Sequence, residues 1–311
     1  MSVTVVGSIA FDAVETPFGA REKMLGGSAV HFALAASFLT DVHVVGPVGD
    51  DFGEAEYAVL DSRRVDTSDI EHVAGGRTFF WAGSYSWDLN DRDTLDTQLN
   101  VFADFQPKLS ETSKHAEALF LANIQPDLQR EVRAQCEQAK FVALDSMNFW
   151  IESARDSLIE TIRSVDCLLL NDAELRQLTE EPNLVLAARK IREWGPRIVV
   201  AKRGEYGAAM VTDEGFFALP AFPLETVVDP TGAGDSFAGG FVGYIAAHVD
   251  EAIDEEMLRR AMAYGTALAS FNVEDFGTDR VARLTSDELA ARVADLQRIT
   301  TFTDKSVALR G

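Results

Sequence analysis

Asp229-Pro230-Thr231-Gly232-Ala233-Gly234-Asp235-Ser236-Phe237-Ala238-Gly239-Gly240 is the stretch on which the reading of this chain turns. A strand-like Thr226–Val228 leads into it, and a helical run of small apolar residues, Ala233–His248, follows. Gly232 and Gly234 let the backbone turn tightly and leave room for a ligand to approach it. The amides of Gly232 to Asp235 are expected to point out of a helix N-terminus, where unpaired N–H groups and the helix dipole favour an anion. An Asp inside such a site opposes what the amides attract. That tension resolves if Asp235 accepts a proton from a hydroxyl attacking beside a phosphate. The plainer alternative is a glycine-rich turn with Asp235 as a helix cap.

Outward from this stretch, short apolar runs alternate with longer amphipathic ones. Val3–Val6, His43–Val48, Leu119–Ala122, Phe141–Leu144, Cys167–Leu170 and Ile198–Ala201 read as strands. Val30–Leu39, Phe52–Arg63, Pro126–Gln138, Ile151–Arg163, Ala173–Thr179, Leu184–Trp194 and Glu255–Phe271 read as helices. Strands alternating with helices of this length imply crossover units and a mainly parallel sheet covered on both faces. One region breaks the pattern: Gly75–Trp87 is aromatic-rich with no helix, and the polar Asp88–Asp96 after it is turn-like. It is expected to form a small β lid, inserted at about 70–105 in a single domain spanning 1–311. No internal repeat or long Pro/Gly/Ser linker argues for a second domain.

Composition narrows the partners. Lys and Arg total 28 against 50 Asp and Glu, a formal charge of −22, and apolar residues make up 47% of 311 positions. That hydrophobicity excludes a disordered chain. The charge argues against nucleic acid or an anionic membrane as partner, because both need a basic surface. Seven lysines against 21 arginines suit solubility in high salt, or reflect lineage composition. Cys136 and Cys167 form no disulfide framework or metal-ligand spacing, so a reducing cytoplasm is expected. The N-terminus reads as a strand rather than a signal peptide, and no apolar run reaches the ~18 residues of a membrane span.

The motif Asp229–Phe241 resembles the C-terminal signature of the ribokinase-like sugar kinases, the phosphofructokinase-B type. The resemblance extends in order along nearly the whole chain. It implies a three-layer α/β/α sandwich with a mainly parallel central sheet and a small β-sheet lid. It also implies ATP-dependent phosphorylation of a sugar, nucleoside or cyclitol hydroxyl. In that family the residue matching Asp235 is the catalytic base, and the amides matching Gly232, Ala233 and Gly234 hold the transferring phosphoryl group. Gly7–Asp12 is similar to the strand end that supplies a substrate-binding Asp, here Asp12; without the resemblance Asp12 reads as a solvated turn residue. Gly26-Gly27-Ser28-Ala29-Val30-His31 resembles the di-glycine substrate signature, but the family usually has Asn where this chain has His31. Imidazole offers a different donor and acceptor pattern from an amide, and a histidine inside a helix is also commonly a core residue.

Asn171-Asp172-Ala173-Glu174 resembles the Asn-x-x-Glu motif that positions Mg²⁺ and its waters, with Glu174 acting through water. Hard oxygen ligands suit that ion. The same spacing is an N-cap with a first-turn Glu, and both readings hold together. Lys202-Arg203-Gly204-Glu205-Tyr206-Gly207 is similar to the nucleotide loop, which makes Lys202, Gly204 and Gly207 ATP-side residues together with Asn171 and Thr231. Ala267–Thr278 resembles the wall of the adenine pocket and carries Asn272 and Gly277 to that side. Asp229 is either a K⁺ ligand or a structural turn residue. Asn123 and Asp145–Asn148 lie at strand C-terminal ends, where open α/β sheets bind ligands, and are expected to line the substrate channel. Aromatic residues on the lid suit either the substrate or a homodimer contact between lids.

Three rival readings are weaker. A dinucleotide-binding oxidoreductase lacks G-x-G-x-x-G after the first strand, and a P-loop kinase lacks G-x-x-x-x-G-K-[ST]. A non-catalytic sensor of the same fold is disfavoured by the joint presence of Asp235, the glycines beside it and Asn171/Glu174.

Overall fold

The computed structural model describes residues 1–90 and 92–302. Asp91, inside the stretch read as a polar turn, and the last nine positions of the expected domain lie outside the described residues. The strands are β1 (Ser2–Val6), β2 (Ala10–Thr16), β3 (Gly19–Gly26), β4 (Asp41–Val48), β5 (Asp66–His72), β6 (Phe79–Tyr85), β7 (Arg92–Gln98), β8 (Ala118–Leu121), β9 (Phe141–Asp145), β10 (Cys167–Asn171), β11 (Ile198–Lys202), β12 (Ala208–Val211) and β13 (Phe216–Leu219). The helices are α1 (Ser28–Ala36), α2 (Glu54–Ser62), α3 (Glu111–Lys114), α4 (Pro126–Gln135), α5 (Asn148–Ser153), α6 (Arg155–Ile162), α7 (Asp172–Thr179), α8 (Leu184–Arg192), α9 (Ala233–Ala247), α10 (Glu255–Asn272), α11 (Asp279–Ala282) and α12 (Ser286–Thr300).

Nine strands form one sheet in the order β13-β12-β11-β10-β9-β8-β1-β4-β5, parallel except that β12 runs antiparallel to both β11 and β13 at one edge. Alternate side chains of each strand feed opposite layers. Val3, Val5 and Phe120 join the core under α1, α9 and α10, whereas Val6, Leu119 and Leu121 join the core under α4, α6, α7 and α8. Strand order reverses between β1 and β8, so their C-terminal ends open the crevice in which such sheets bind ligands. Phe32 of α1 stacks on Phe120 of β8 at 4.3 Å with both rings fully buried. That contact seats α1 over the crevice, and truncating either ring would cost about 3–5 kcal/mol.

The lid differs from the expected insertion. It is a separate sheet ordered β3-β2-β6-β7, so half of it comes from Ala10–Gly26. The Gly19–Gly26 strand escaped the sequence reading because GAREKMLG is exposed over most of its length and carries no apolar alternation. Arg92–Gln98 is a strand rather than a turn, paired antiparallel with β6 and exposed at every position. Conversely, Asp66–His72 pairs with β4 and extends the main sheet. The expected helix over Ile151–Arg163 divides at Ala154, whose φ of −143° and ψ of 35° are not helical. Thr226–Val228 is irregular, anchored by the Val228 amide on the Val273 carbonyl at 2.7 Å.

Candidate active site

α9 starts from a Gly232 at φ 75°, ψ 0°, a left-handed conformation that side chains other than glycine rarely adopt. A Cβ there would also overlap the His31 ring, so both backbone and space demand glycine. Asp229, fully buried, holds this turn from below: its two oxygens accept the amides of Thr231 at 2.9 Å and Gly277 at 3.0 Å. That geometry matches the structural-turn alternative for Asp229. The Ala233 amide, expected with those of Gly232 and Gly234 to hold the phosphoryl group, donates to the Pro230 carbonyl at 3.2 Å. The Gly232 and Gly234 amides have no partner among the described residues.

Asp235 stands in the first turn of α9, within electrostatic reach of a part-buried ion pair. Lys202 Nζ lies 2.5 Å from Asp145 Oδ2, and a Cβ on Gly234 would be 3.2 Å from the same ammonium. Register brings these groups together: Asp145, Asn171 and Lys202 end the adjacent strands β9, β10 and β11. Asp235 is raised to about 7, by burial first and then by Asp145, against the pull of Lys202 and Arg92. Glu174 is also raised to about 7, by burial, with Lys202 opposing. Burial lowers Lys202, but Asp145, Glu174 and Asp235 outweigh it and the net shift is upward. One ammonium thus faces three carboxyls, an excess that a hard cation would offset.

Asn171 caps α7 while Glu174 reaches back. Asn171 Oδ1 accepts the Glu174 amide at 2.8 Å, and Glu174 Oε2 accepts the Asn171 amide at 2.9 Å. The motif is therefore a capping box that leaves the second Glu174 oxygen to the cluster. Among the described residues no three His, Cys, Asp or Glu side chains are grouped to hold a metal unaided.

Asp12 lies on lid strand β2 and is buried, raised to about 7 by desolvation first and then by Asp229. Gly26 lies beneath it, where a Cβ would collide with the carboxylate, and Gly27 caps α1. Gly204 and Gly207 bound the turn after β11, and the lid crosses to it: Asn90 Nδ2 donates to Glu205 Oε1 at 3.2 Å. At the same turn end of the hairpin, Thr231 Oγ1 donates to Tyr85 Oη at 3.1 Å. Three residues expected to meet ligands have protein partners. Asn123 engages Trp150 Nε1 at 3.0 Å and Met147 Sδ at 3.0 Å instead of standing free for substrate. Asn272 has no exposed surface and donates to the Thr231 carbonyl from beneath the loop. His31 is likewise buried, its Nδ1 on Asn272.

Sequence reasoning missed Arg92 and the pairing of Asp145 with Lys202. Arg92 opens the exposed β7 opposite Tyr85, and its charge lowers the carboxyls of Asp12, Glu174 and Asp235. A polar segment read as a turn hid it. Asp145 and Lys202 share strand-end positions, a signal that existed in the sequence but required the strand order.

Comparison with known proteins places the chain in a family. Residues 2–283 match the model of the pfkB family of carbohydrate kinases. A cytidine kinase from Thermococcus kodakarensis is 30% identical over 251 residues, covering 78% of this chain and 88% of that protein. A nucleoside kinase from Methanothermobacter thermautotrophicus is 28% identical over 88% of this chain and 89% of its own. Among solved structures, the Methanocaldococcus jannaschii nucleoside kinase, an archaeal member of the ribokinase family, superposes with a TM-score of 0.75. It is 22% identical, with 94% of this chain and 98% of that one covered. Adenosine kinase from Sinorhizobium meliloti gives 0.80 at 19% identity, covering 94% and 99%. The chain belongs to the pfkB carbohydrate kinase family and has the ribokinase fold. It is an ATP-dependent kinase.

Arg92→Ala removes the lid's charge from three carboxyls. The expected result is a loss of about tenfold in kcat/KM and an acid limb of the pH–rate profile displaced to higher pH. Unchanged profiles in a steady-state assay would show that the guanidinium does not act on the site.

Proposed function

We propose that this kinase transfers the γ-phosphoryl group of ATP to the primary hydroxyl of a nucleoside, with Asp235 as proton acceptor. The observation that carries the reading is the placement of Asp235 beside the unpartnered Gly232 and Gly234 amides and the Lys202 ammonium. As the hydroxyl oxygen attacks the γ-phosphorus, its proton passes to Asp235, the bond to the bridging oxygen breaks, and ADP leaves. The two amides and Lys202 hold the phosphoryl oxygens as charge builds on them. Asp12 orients the acceptor through hydroxyl donors to its carboxylate, and the lid excludes water.

Asn171 and Glu174 fit Mg²⁺: the carboxyl excess over Lys202 suits a hard ion, and the lack of a protein cage among the described residues suits one carried largely by nucleotide and water. When bound, Mg²⁺ offsets charge on the β- and γ-phosphates. We assign Asp229 to the amide clasp rather than to K⁺, since both its oxygens are engaged by backbone N–H groups. A homodimer joined through the lids belongs to the same reading, with Trp87, Leu95 and Leu99 exposed there.

The nucleoside clause draws on the named activities of similar proteins. A free pentose or hexose is the second reading, favoured by Asp12, which can accept ring hydroxyls whether or not a base is attached. ADP release measured with cytidine, uridine, adenosine, inosine, ribose, fructose and myo-inositol separates them. At least one nucleoside is expected to exceed every free sugar by about a hundredfold in kcat/KM. A preferred free sugar would overturn the nucleoside clause, and no release with any of them would overturn the acceptor class.

A further inference from the structure

Around the Thr231–Gly232 peptide the structure has built a bracket that no ligand contact explains. Asn272 Nδ2 donates to the Thr231 carbonyl at 2.7 Å. That bond fixes the amide's orientation, so Oδ1 points the other way and must accept. Two groups reach it, Ser236 Oγ at 2.9 Å and His31 Nδ1 at 2.9 Å. Because Oδ1 offers only lone pairs, His31 carries its proton on Nδ1. Burial lowers the imidazole's pKa and keeps it neutral, which leaves Nε2 a lone-pair acceptor with no partner among the described residues. The ring also lies flat under Gly232, in the space a Cβ would take. Asp229 completes the bracket through the Thr231 amide.

We infer that His31 is a positioning residue for the phosphoryl-binding turn and not an acceptor contact: through its Nδ1–H bond to Asn272 it sets the orientation of the Gly232 and Gly234 amides. Both peptide planes flanking Thr231 are held, one at its N–H and one at its C=O, so the amide after them has little freedom. A turn preset this way needs no reorganisation as charge develops on the phosphoryl group. The position where the family's signature places a side chain toward the substrate is thereby used on the nucleotide side. This inference rests on the phosphoryl-transfer reading of the Asp235 turn.

His31→Phe keeps a ring under Gly232 and deletes the Nδ1–H donor. The expected result is a fall in kcat of about tenfold to a hundredfold, with KM for ATP and for the acceptor within about threefold of wild type. His31→Asn can place an amide N–H where Nδ1–H was, and kcat should recover to within about threefold. Asn272→Asp tests the bracket from its other end by setting a carboxylate oxygen against the Thr231 carbonyl; it should lower kcat with KM again unmoved. If His31→Phe fails to fold, the Asn and Asp variants carry the test alone. An acceptor KM raised more than about tenfold at unchanged kcat would overturn the inference, as would wild-type kcat in His31→Phe or Asn272→Asp. A failure of Asp235 as base would leave this pattern readable, because a preset amide turn acts on kcat whichever group takes the proton.

Discussion

Asp235→Asn is expected to lower kcat by about a thousandfold while the dissociation constant for ATP stays within about threefold. The amide keeps the volume and the helix start but cannot accept a proton. Measured by ADP release and by calorimetric titration with ATP, turnover within about tenfold of wild type would remove Asp235 from the role of base. With Asp235 as base, the same carboxyl is expected to set the acid limb of the wild-type profile. Only its ionised form takes the proton, and its pKa is raised to about 7, so kcat/KM should climb as pH rises towards 7 and then level. The sign for stability is opposite. The folded state holds this proton more tightly than the unfolded chain, whose value is near 3.8. The stabilisation is therefore complete below pH ~4 and is lost as pH rises through ~7. Asp235→Asn should accordingly melt above wild type at pH 8 and not at pH 4.

Asp12→Ala is expected to cut kcat/KM by about 10²- to 10³-fold, almost all of it in the acceptor KM, with ATP binding intact. The carboxylate is buried on β2 and pressed against Gly26, so it cannot swing away to be replaced by water. Its loss leaves sugar hydroxyls without an acceptor inside a closed lid, which is costlier than losing an exposed hydrogen bond. The contrast with Asp235→Asn is diagnostic, since one variant moves KM and the other kcat. An Asp12→Ala enzyme with unchanged acceptor KM and depressed kcat would place Asp12 among the reacting groups.

The parallel sheet was legible because buried strands such as Cys167–Leu170 and Ile198–Ala201 are apolar on both faces and end at turn residues. The Asp235 turn was legible because glycine spacing and an Asp at a helix start are local properties. The lid's first half was not, since an exposed strand such as β3 needs no apolar alternation to pair with β2. The His31–Asn272 bond was equally hidden: the residues are 241 positions apart, and nothing local distinguishes a histidine that braces a turn from one that touches substrate. Asp145 was seen as a strand-end residue, but its partner emerged only once β9, β10 and β11 were known to be neighbours.

The lid's double origin has an evolutionary consequence. Its four strands arrive on two excursions, one between β1 and α1 and one between β5 and α3, and they join along the parallel β2–β6 pair. Removing either excursion would leave a lone two-stranded ribbon, which is marginal in water. The lid therefore cannot have been gained or shed as a single cassette. Changes in its size must proceed in step at two distant places in the gene, with the β2–β6 seam as the part that both must keep.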